Sequence, residues 1–105
     1  MICLKNLEIT KESYDKFIFK APLAIEGYTD VNTINDEDNA KVEKMYSDLK
    51  EYRSLNKKTI EDKEKLVNKI VDIISLLGQD NFLIYDDGDI DYNYNKKIEG
   101  GNLNV

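Results

Sequence analysis

The sequence contains no histidine and no tryptophan, and it has one cysteine, one proline and one arginine in 105 residues. Without histidine, the chain lacks the commonest general base and the commonest zinc ligand of proteins. Its single cysteine, Cys3, excludes an intramolecular disulfide and a paired-cysteine site. These absences remove most of the chemistry on which small enzymes and cofactor-binding domains depend. We therefore expect a protein that is not an enzyme and has no cofactor.

Long apolar runs are also missing. No stretch approaches the ~20 apolar residues that a membrane-spanning helix needs, and the N-terminus shows no basic region followed by an apolar one, as a secretory signal would. We expect a cytoplasmic protein with a reduced thiol. The length fits one domain, which we assign to residues 1–95, with residues 96–105 as a flexible C-terminal tail.

Helical spacing is clearest in the middle of the chain. From residue 36 to about residue 56, apolar residues recur three or four positions apart. After a short break, Thr59-Ile60-Glu61-Asp62 has the pattern of a capping box. It opens a second amphipathic segment that ends at Gly78, a residue suited to helix termination. The two segments predict an antiparallel helical hairpin.

Strand signals lie at the two ends of the chain. Residues 2–9 show an apolar alternation that breaks near Lys5-Asn6, which predicts a short strand with a bend. Near the C-terminus, residues 82–85 and the alternating residues 90–94 flank Asp87-Gly88, a strong hairpin signal. We expect the N-terminal strand and this β-hairpin to form one small antiparallel sheet.

The segment between the first strand and the helical hairpin is harder to interpret. Tyr14, Phe17 and Ile18 would share one face of a short helix, although the alternation of Phe17 with Phe19 also suits a strand. Pro22 is expected to end that helix, and residues 22–38 to form a long irregular connection. The predicted fold is α+β: a small antiparallel sheet packed on a two-helix hairpin, with a short extra N-terminal helix.

Charge is distributed unevenly along the chain. The formal net charge is −6, and two segments account for it: residues 21–40 hold five acids and no base, and residues 71–95 hold six acids and no base. Such segments repel nucleic acid and anionic membrane surfaces, because binding to phosphates requires lysine and arginine. They attract basic protein surfaces instead.

The candidate partner-binding residues follow from this distribution. The second acidic segment combines four aspartates with two nearby tyrosines, a residue type enriched at the centres of interfaces. The first acidic segment supplies a second candidate patch. These residues are Asp86, Asp87, Asp89, Asp91, Tyr92 and Tyr94 in the C-terminal segment, and Asp30, Asp36, Glu37 and Asp38 in the predicted connection.

The leading hypothesis is a non-enzymatic inhibitor that places an acidic, nucleic-acid-mimicking patch on a basic nucleic-acid-binding surface of a host protein. In size, acidity and lack of catalytic motifs, the chain resembles the broad set of small phage-encoded anti-defence proteins, such as anti-CRISPR and anti-restriction inhibitors. The resemblance implies an effector nuclease or similar protein as the partner, without direct binding to nucleic acid or membrane.

Two alternatives stay open. The apolar faces of 42–55 and 66–77 could pair between copies, which would make the chain a helical-hairpin homodimer with an assembly or regulatory role. The carboxylates could instead bind a metal ion. Asp87, Asp89 and Asp91 have the 1, 3, 5 spacing of a calcium loop, but Tyr92 stands where that loop requires glycine, so we assign no metal ligands.

Overall fold

The computed structural model describes residues 2–4 and 7–93, with side chains described from Ile9 onward. The predicted α+β class is confirmed. Single turns of 3-10 helix, at Lys11–Ser13 and Gln79–Asn81, precede the first helix and the third strand. In chain order the elements are β1 (Ile2–Leu4), β2 (Leu7–Ile9), α1 (Tyr14–Val31), α2 (Asp36–Arg53), α3 (Ile60–Leu77), β3 (Phe82–Ile84) and β4 (Ile90–Tyr92).

The predicted helical hairpin is confirmed in α2 and α3. The capping box is present, because the Thr59 hydroxyl accepts a hydrogen bond from the Asp62 N–H at 3.1 Å while the Asp62 carboxylate accepts one from the Thr59 N–H at 2.9 Å. The two helices run antiparallel and are tied by an ion pair between Lys69 and Asp48. Their facing sides are buried; the residues include Val42, Met45, Leu49, Leu66, Val67, Ile70, Ile73 and Ile74.

The expectation that Pro22 ends the first helix is wrong, because α1 continues through Pro22 to Val31. A proline inside a helix costs about 3 kcal/mol, since it removes one backbone hydrogen bond and crowds the preceding turn. Here Pro22 is itself buried, and the helix beyond it adds Ala24 and Ile25 to the core. This burial outweighs the local penalty, and the predicted long connection is reduced to residues 32–35.

The strands form two separate sheets, which corrects the expectation of one. β1 pairs with β2, with Ile2 opposite Ile9, and β3 pairs with β4, with Phe82 opposite Tyr92. Within the described residues the two hairpins do not pair with each other. The single strand predicted over residues 2–9 is therefore two antiparallel strands, and the break predicted near Lys5-Asn6 lies outside the described residues.

Helix α1 lies between the β3–β4 hairpin and the rest of the helices. Strand β4 packs along α1, α1 packs against α3, and α3 packs against α2. The β3–β4 hairpin therefore rests mainly on α1 instead of on the α2–α3 hairpin, whereas β1 contacts α3. Among the described residues, no helix combines the length and apolar character needed to cross a lipid bilayer.

Candidate functional site

The acidic turn between β3 and β4 has a defined backbone conformation. The Tyr85 N–H donates to the Asp89 carbonyl at 2.9 Å, and the Gly88 N–H donates to the Tyr85 carbonyl at 3.0 Å. Gly88 has a φ of 93°, a conformation that favours glycine. The Asp87 carboxylate accepts from the Asp89 N–H at 3.0 Å. The turn thus holds its aspartates in fixed positions at the end of the hairpin.

Two of these four aspartates face lysines of α1. The Lys16 ammonium lies 2.7 Å from a carboxylate oxygen of Asp87, and the Lys20 ammonium lies 3.8 Å from one of Asp89. The hydrogen bond from Lys16 holds the pKa of Asp87 below its ordinary value, and the same bond raises the pKa of Lys16. The negative charge of the four aspartates is therefore partly neutralised by the protein's own lysines.

Asp86 and Asp91 are the aspartates of the hairpin that stay exposed without an ion pair within the described residues. Asp91 lies opposite Leu83 on the outer face of the hairpin. With Tyr85, which is 47% exposed, the four aspartates line a shallow concavity of about 420 Å³. The acidic surface of the hairpin is thus centred on Asp86, Asp91 and the ring of Tyr85.

The predicted tyrosine anchors differ in position. Tyr92 is buried, its ring lies edge-on to Tyr28 with centroids 5.8 Å apart, and its hydroxyl accepts from the Asn32 side-chain amide at 3.2 Å. It stabilises the packing of β4 on α1 and presents no surface to a partner. Tyr94 lies outside the described residues. The exposed tyrosine of this region is Tyr85, which precedes the aspartates in the sequence and was not among the predicted partner-binding residues.

Three acids of the first segment serve the start of α2. Asp36, Glu37 and Asp38 form its first turn, where negative charge is favoured by the helix dipole. The N-cap is Asn35, whose side chain accepts from the Asp38 N–H at 2.7 Å. These three acids therefore have a structural role that explains their presence without a partner.

Asp30 is in a different situation. It lies near the C-terminal end of α1, one turn after Glu26, and the last turn of that helix has no basic residue. Negative charge at a helix C-terminus opposes the helix dipole. Burial, followed by the nearby carboxylates of Glu26, Glu43 and Asp30, raises the pKa of Tyr46 to about 12. We call Glu26, Asp30 and Glu43 the acidic corner; all three are exposed, and none forms an ion pair within residues 9–93.

Two apolar side chains next to these acids were missed by the sequence reasoning. Phe19 is 64% exposed and Leu23 is 56% exposed, the highest values among the large apolar side chains of the described residues. Phe19 precedes Pro22, so the predicted short helix already places it off the face shared by Tyr14, Phe17 and Ile18. Leu23 was missed because that helix was predicted to stop at Pro22, and extending the helix to residue 31 places Leu23 on the same exposed side as Phe19.

No group of three or more cysteine, aspartate or glutamate residues in the described part of the chain is arranged to hold a metal ion. A concavity of about 660 Å³ forms an open groove between α2 and α3. Its floor is apolar, and its walls carry lysines and acids in equal number, with Ala40, Met45, Ile73 and Leu76 beside Glu37, Lys41, Lys44, Asp48, Lys69 and Asp72.

Comparison with protein-family models, with curated proteins and with solved structures gives no match. The function of this chain therefore has to be argued from its own residues.

Proposed function

We propose that this protein is a non-enzymatic inhibitor that binds a basic nucleic-acid-binding surface of a larger host protein. The proposal includes a cytoplasmic location and an anti-defence role, of anti-CRISPR or anti-restriction type, in a phage or mobile element. One observation carries it. Exposed carboxylates at Asp86, Asp91 and the acidic corner form no ion pair within the described residues, in a chain of net charge −6.

Folding alone gives little reason to keep these particular carboxylates. Like charges held near one another destabilise a fold, and acids at the C-terminal end of α1 also oppose its dipole. A basic partner would reverse the sign of this electrostatic energy, since it brings positive charge close to the carboxylates. Nucleic-acid-binding surfaces carry dense positive charge because they neutralise phosphates. Such surfaces are therefore the class of partner that this arrangement favours.

Capture from a lysate of the native bacterial host, treated with nuclease, tests the proposal. The immobilised protein should retain a basic nucleic-acid-binding protein, and rising salt should release it, because exposed charges are screened. Asp86→Asn combined with Asp91→Asn should lose the retained protein. Glu51→Gln combined with Glu61→Gln removes the same charge from exposed positions elsewhere and should retain it. Equal retention by both double variants, or a retained protein without nucleic-acid-binding activity, would overturn the proposal.

The simplest test that the sequence suggests is the exchange of Asp86, Asp87, Asp89 and Asp91 to asparagine. This quadruple exchange does not isolate the effect of negative charge. It also releases Lys16 and Lys20 from their carboxylate partners. Its effect would combine lost negative charge with newly unpaired positive charge. The Asp86 and Asp91 pair separates the two effects, because neither residue forms an ion pair with those lysines.

Homodimerisation remains the second candidate function, and the open groove between α2 and α3 favours it. The helix faces first expected to pair between copies are buried within one chain, so a second copy would have to use this groove. Light scattering decides: a dimer whose mass does not change with salt supports the assembly role. A monomer at high protein concentration rules it out, and Leu76→Glu, on the groove floor, should abolish any such dimer.

A further inference from the structure

We infer that the outer face of α1 is the docking face for a basic protein partner, with Phe19 and Leu23 as its apolar centre. This inference rests on the proposed function and identifies the surface that performs it. The face consists of Phe19, Leu23, Glu26 and Asp30 on α1, together with Asp91 on the adjacent β4. We call it the α1 face.

Helical geometry brings the first four residues together. Phe19 and Leu23 are separated by four positions, Leu23 and Glu26 by three, and Glu26 and Asp30 by four, so all lie along one side of the helix. An isolated exposed apolar side chain is ordinary on a protein surface. Two adjacent ones, each more than half exposed and one of them aromatic, form a contiguous apolar patch.

Asp91 joins this row through a small cleft between α1 and β4. The cleft has a volume of about 120 Å³ and is lined by Leu23, Gly27, Ile90 and Asp91, together with Lys20, whose ammonium faces Asp89. Lysine and arginine side chains combine an apolar stem with a charged head. A partner's lysine or arginine could therefore lay its stem on Leu23 and bring its head to Asp91.

Charge decides which partner fits the α1 face. Its carboxylates, on Glu26, Asp30 and Asp91, form no ion pair within the described residues. The neighbouring lysines, Lys16 and Lys20, each face a hairpin carboxylate. A symmetric contact between the α1 faces of two copies would place acid against acid, which is unfavourable. An apolar centre with a charged rim is the usual arrangement of a protein interface, and here the rim requires a positively charged partner.

A phage-displayed library of random peptides, panned against the intact protein, tests the inference. We expect enrichment of peptides that carry lysine or arginine around an apolar residue. Titrating an enriched peptide into labelled protein should shift backbone NMR signals along the α1 face. Phe19→Ser combined with Leu23→Ser should weaken peptide binding about tenfold or more, the range for residues at the centre of an interface.

Two controls keep the result interpretable. Ile60→Ser, at another exposed apolar position and 44% exposed before the change, should leave binding unchanged. Glu26→Gln combined with Asp30→Asn should weaken binding and reduce its dependence on salt. Circular dichroism of each variant confirms that the fold is kept, which we expect because all the exchanged side chains are exposed.

The outcomes separate this inference from the proposed function. If basic peptides bind through Asp86 and the hairpin, and the serine variant binds as well as the unchanged protein, the inference fails while the proposed function stands. If no basic peptide is enriched, or signals shift only in the α2–α3 groove, both fail. Self-association that depends on Phe19 and Leu23 would replace the basic partner with a second copy.

Discussion

Two lysines of α1 decide which aspartates of the β3–β4 turn are available to a partner. Lys16 and Asp87 are 71 positions apart in the chain, so their contact could not be predicted from the sequence. The acidic composition of the segment was evident, whereas the division into paired and unpaired acids required the packing of the hairpin on α1. The sequence therefore predicted which segment carries the acidic side chains, but not which of them are paired within the protein.

The N-cap of α2 gives a test at the scale of a single side chain. Asn35→Ala should lower the free energy of unfolding by about 1 kcal/mol, because it removes the acceptor for the Asp38 N–H. Thr33→Ala should change it little, since its side chain forms no hydrogen bond within the described residues. Chemical denaturation of both variants measures the difference, and a larger loss in the Thr33 variant would show that the cap is misassigned.

Asp48 gives a test of pH dependence. Its carboxylate accepts hydrogen bonds from Lys44 at 2.8 Å and Lys69 at 2.9 Å, and these bonds lower its pKa below the ordinary value of 3.8. A carboxyl group with a lowered pKa stabilises the fold above its ordinary value, and this contribution is lost as the pH falls through the lowered pKa. Asp48→Asn should therefore reduce Tm at neutral pH, and the gap from the unchanged protein should close in acid.

Thermal melts at a series of pH values measure that gap. Asp72→Asn, which removes an exposed carboxylate on α3 that forms no ion pair within the described residues, is the control and should show no closing gap. A gap for Asp48→Asn that widens in acid would contradict the assigned contacts.

At the scale of elements, the sequence was most informative where local chemistry and hydrophobic spacing agree. The α2–α3 hairpin has both a capping box at Thr59 and Asp62 and a regular apolar face, and the structure has the helices within a few residues of their predicted ends. In α1 the two signals conflict at Pro22. Burial of the residues beyond it decides the outcome, and burial depends on elements far along the chain.

Gly88 in the hairpin turn and Gly27 in α1 give opposite predictions for the effect of an exchange to alanine on stability. Gly88→Ala should lower the free energy of unfolding by about 1–3 kcal/mol, because φ is 93° and a Cβ atom would lie 2.7 Å from the Ser13 carbonyl oxygen. Gly27→Ala should raise it by about 0.5–1 kcal/mol, since its Cβ would meet its nearest neighbour, in Tyr92, at an ordinary 3.7 Å.

Thermal denaturation of the two alanine variants checks these signs. The same experiment tests the conformation of the hairpin turn and its approach to the start of α1 together, since both the positive φ and the contact with Ser13 make Gly88 intolerant of a Cβ atom. A Gly88 variant as stable as the unchanged protein would mean that the turn does not lie against Ser13, and the lysine contacts of Asp87 and Asp89 would then also be in doubt.

At the scale of the whole molecule, the distribution of charged side chains distinguishes the candidate binding surface more clearly than the cavities do. The open groove between α2 and α3 is neutral in formal charge, whereas the unpaired carboxylates of Asp86, Asp91 and the acidic corner lie on and beside α1 and the hairpin. The sequence predicted the net acidity and its two segments. It could not predict that one exposed helix face runs between them, because that face belongs to a helix whose second half was expected to be a loop.

Salt dependence is the corresponding prediction. If binding uses the unpaired carboxylates, the affinity for a captured basic partner should fall as salt rises. The fall should be shallower for Asp86→Asn combined with Asp91→Asn than for the unchanged protein. Binding measured at several salt concentrations checks this, and equal slopes for the two proteins would show that these aspartates lie outside the interface.

The most direct test of the proposed function is competition with nucleic acid. A labelled duplex is bound to the captured partner, and fluorescence anisotropy follows its release as this protein is added. We predict full displacement by the unchanged protein, and displacement by the Asp86 and Asp91 double variant only at about tenfold or higher concentration. A duplex that stays bound at saturating concentrations of this protein would contradict the account.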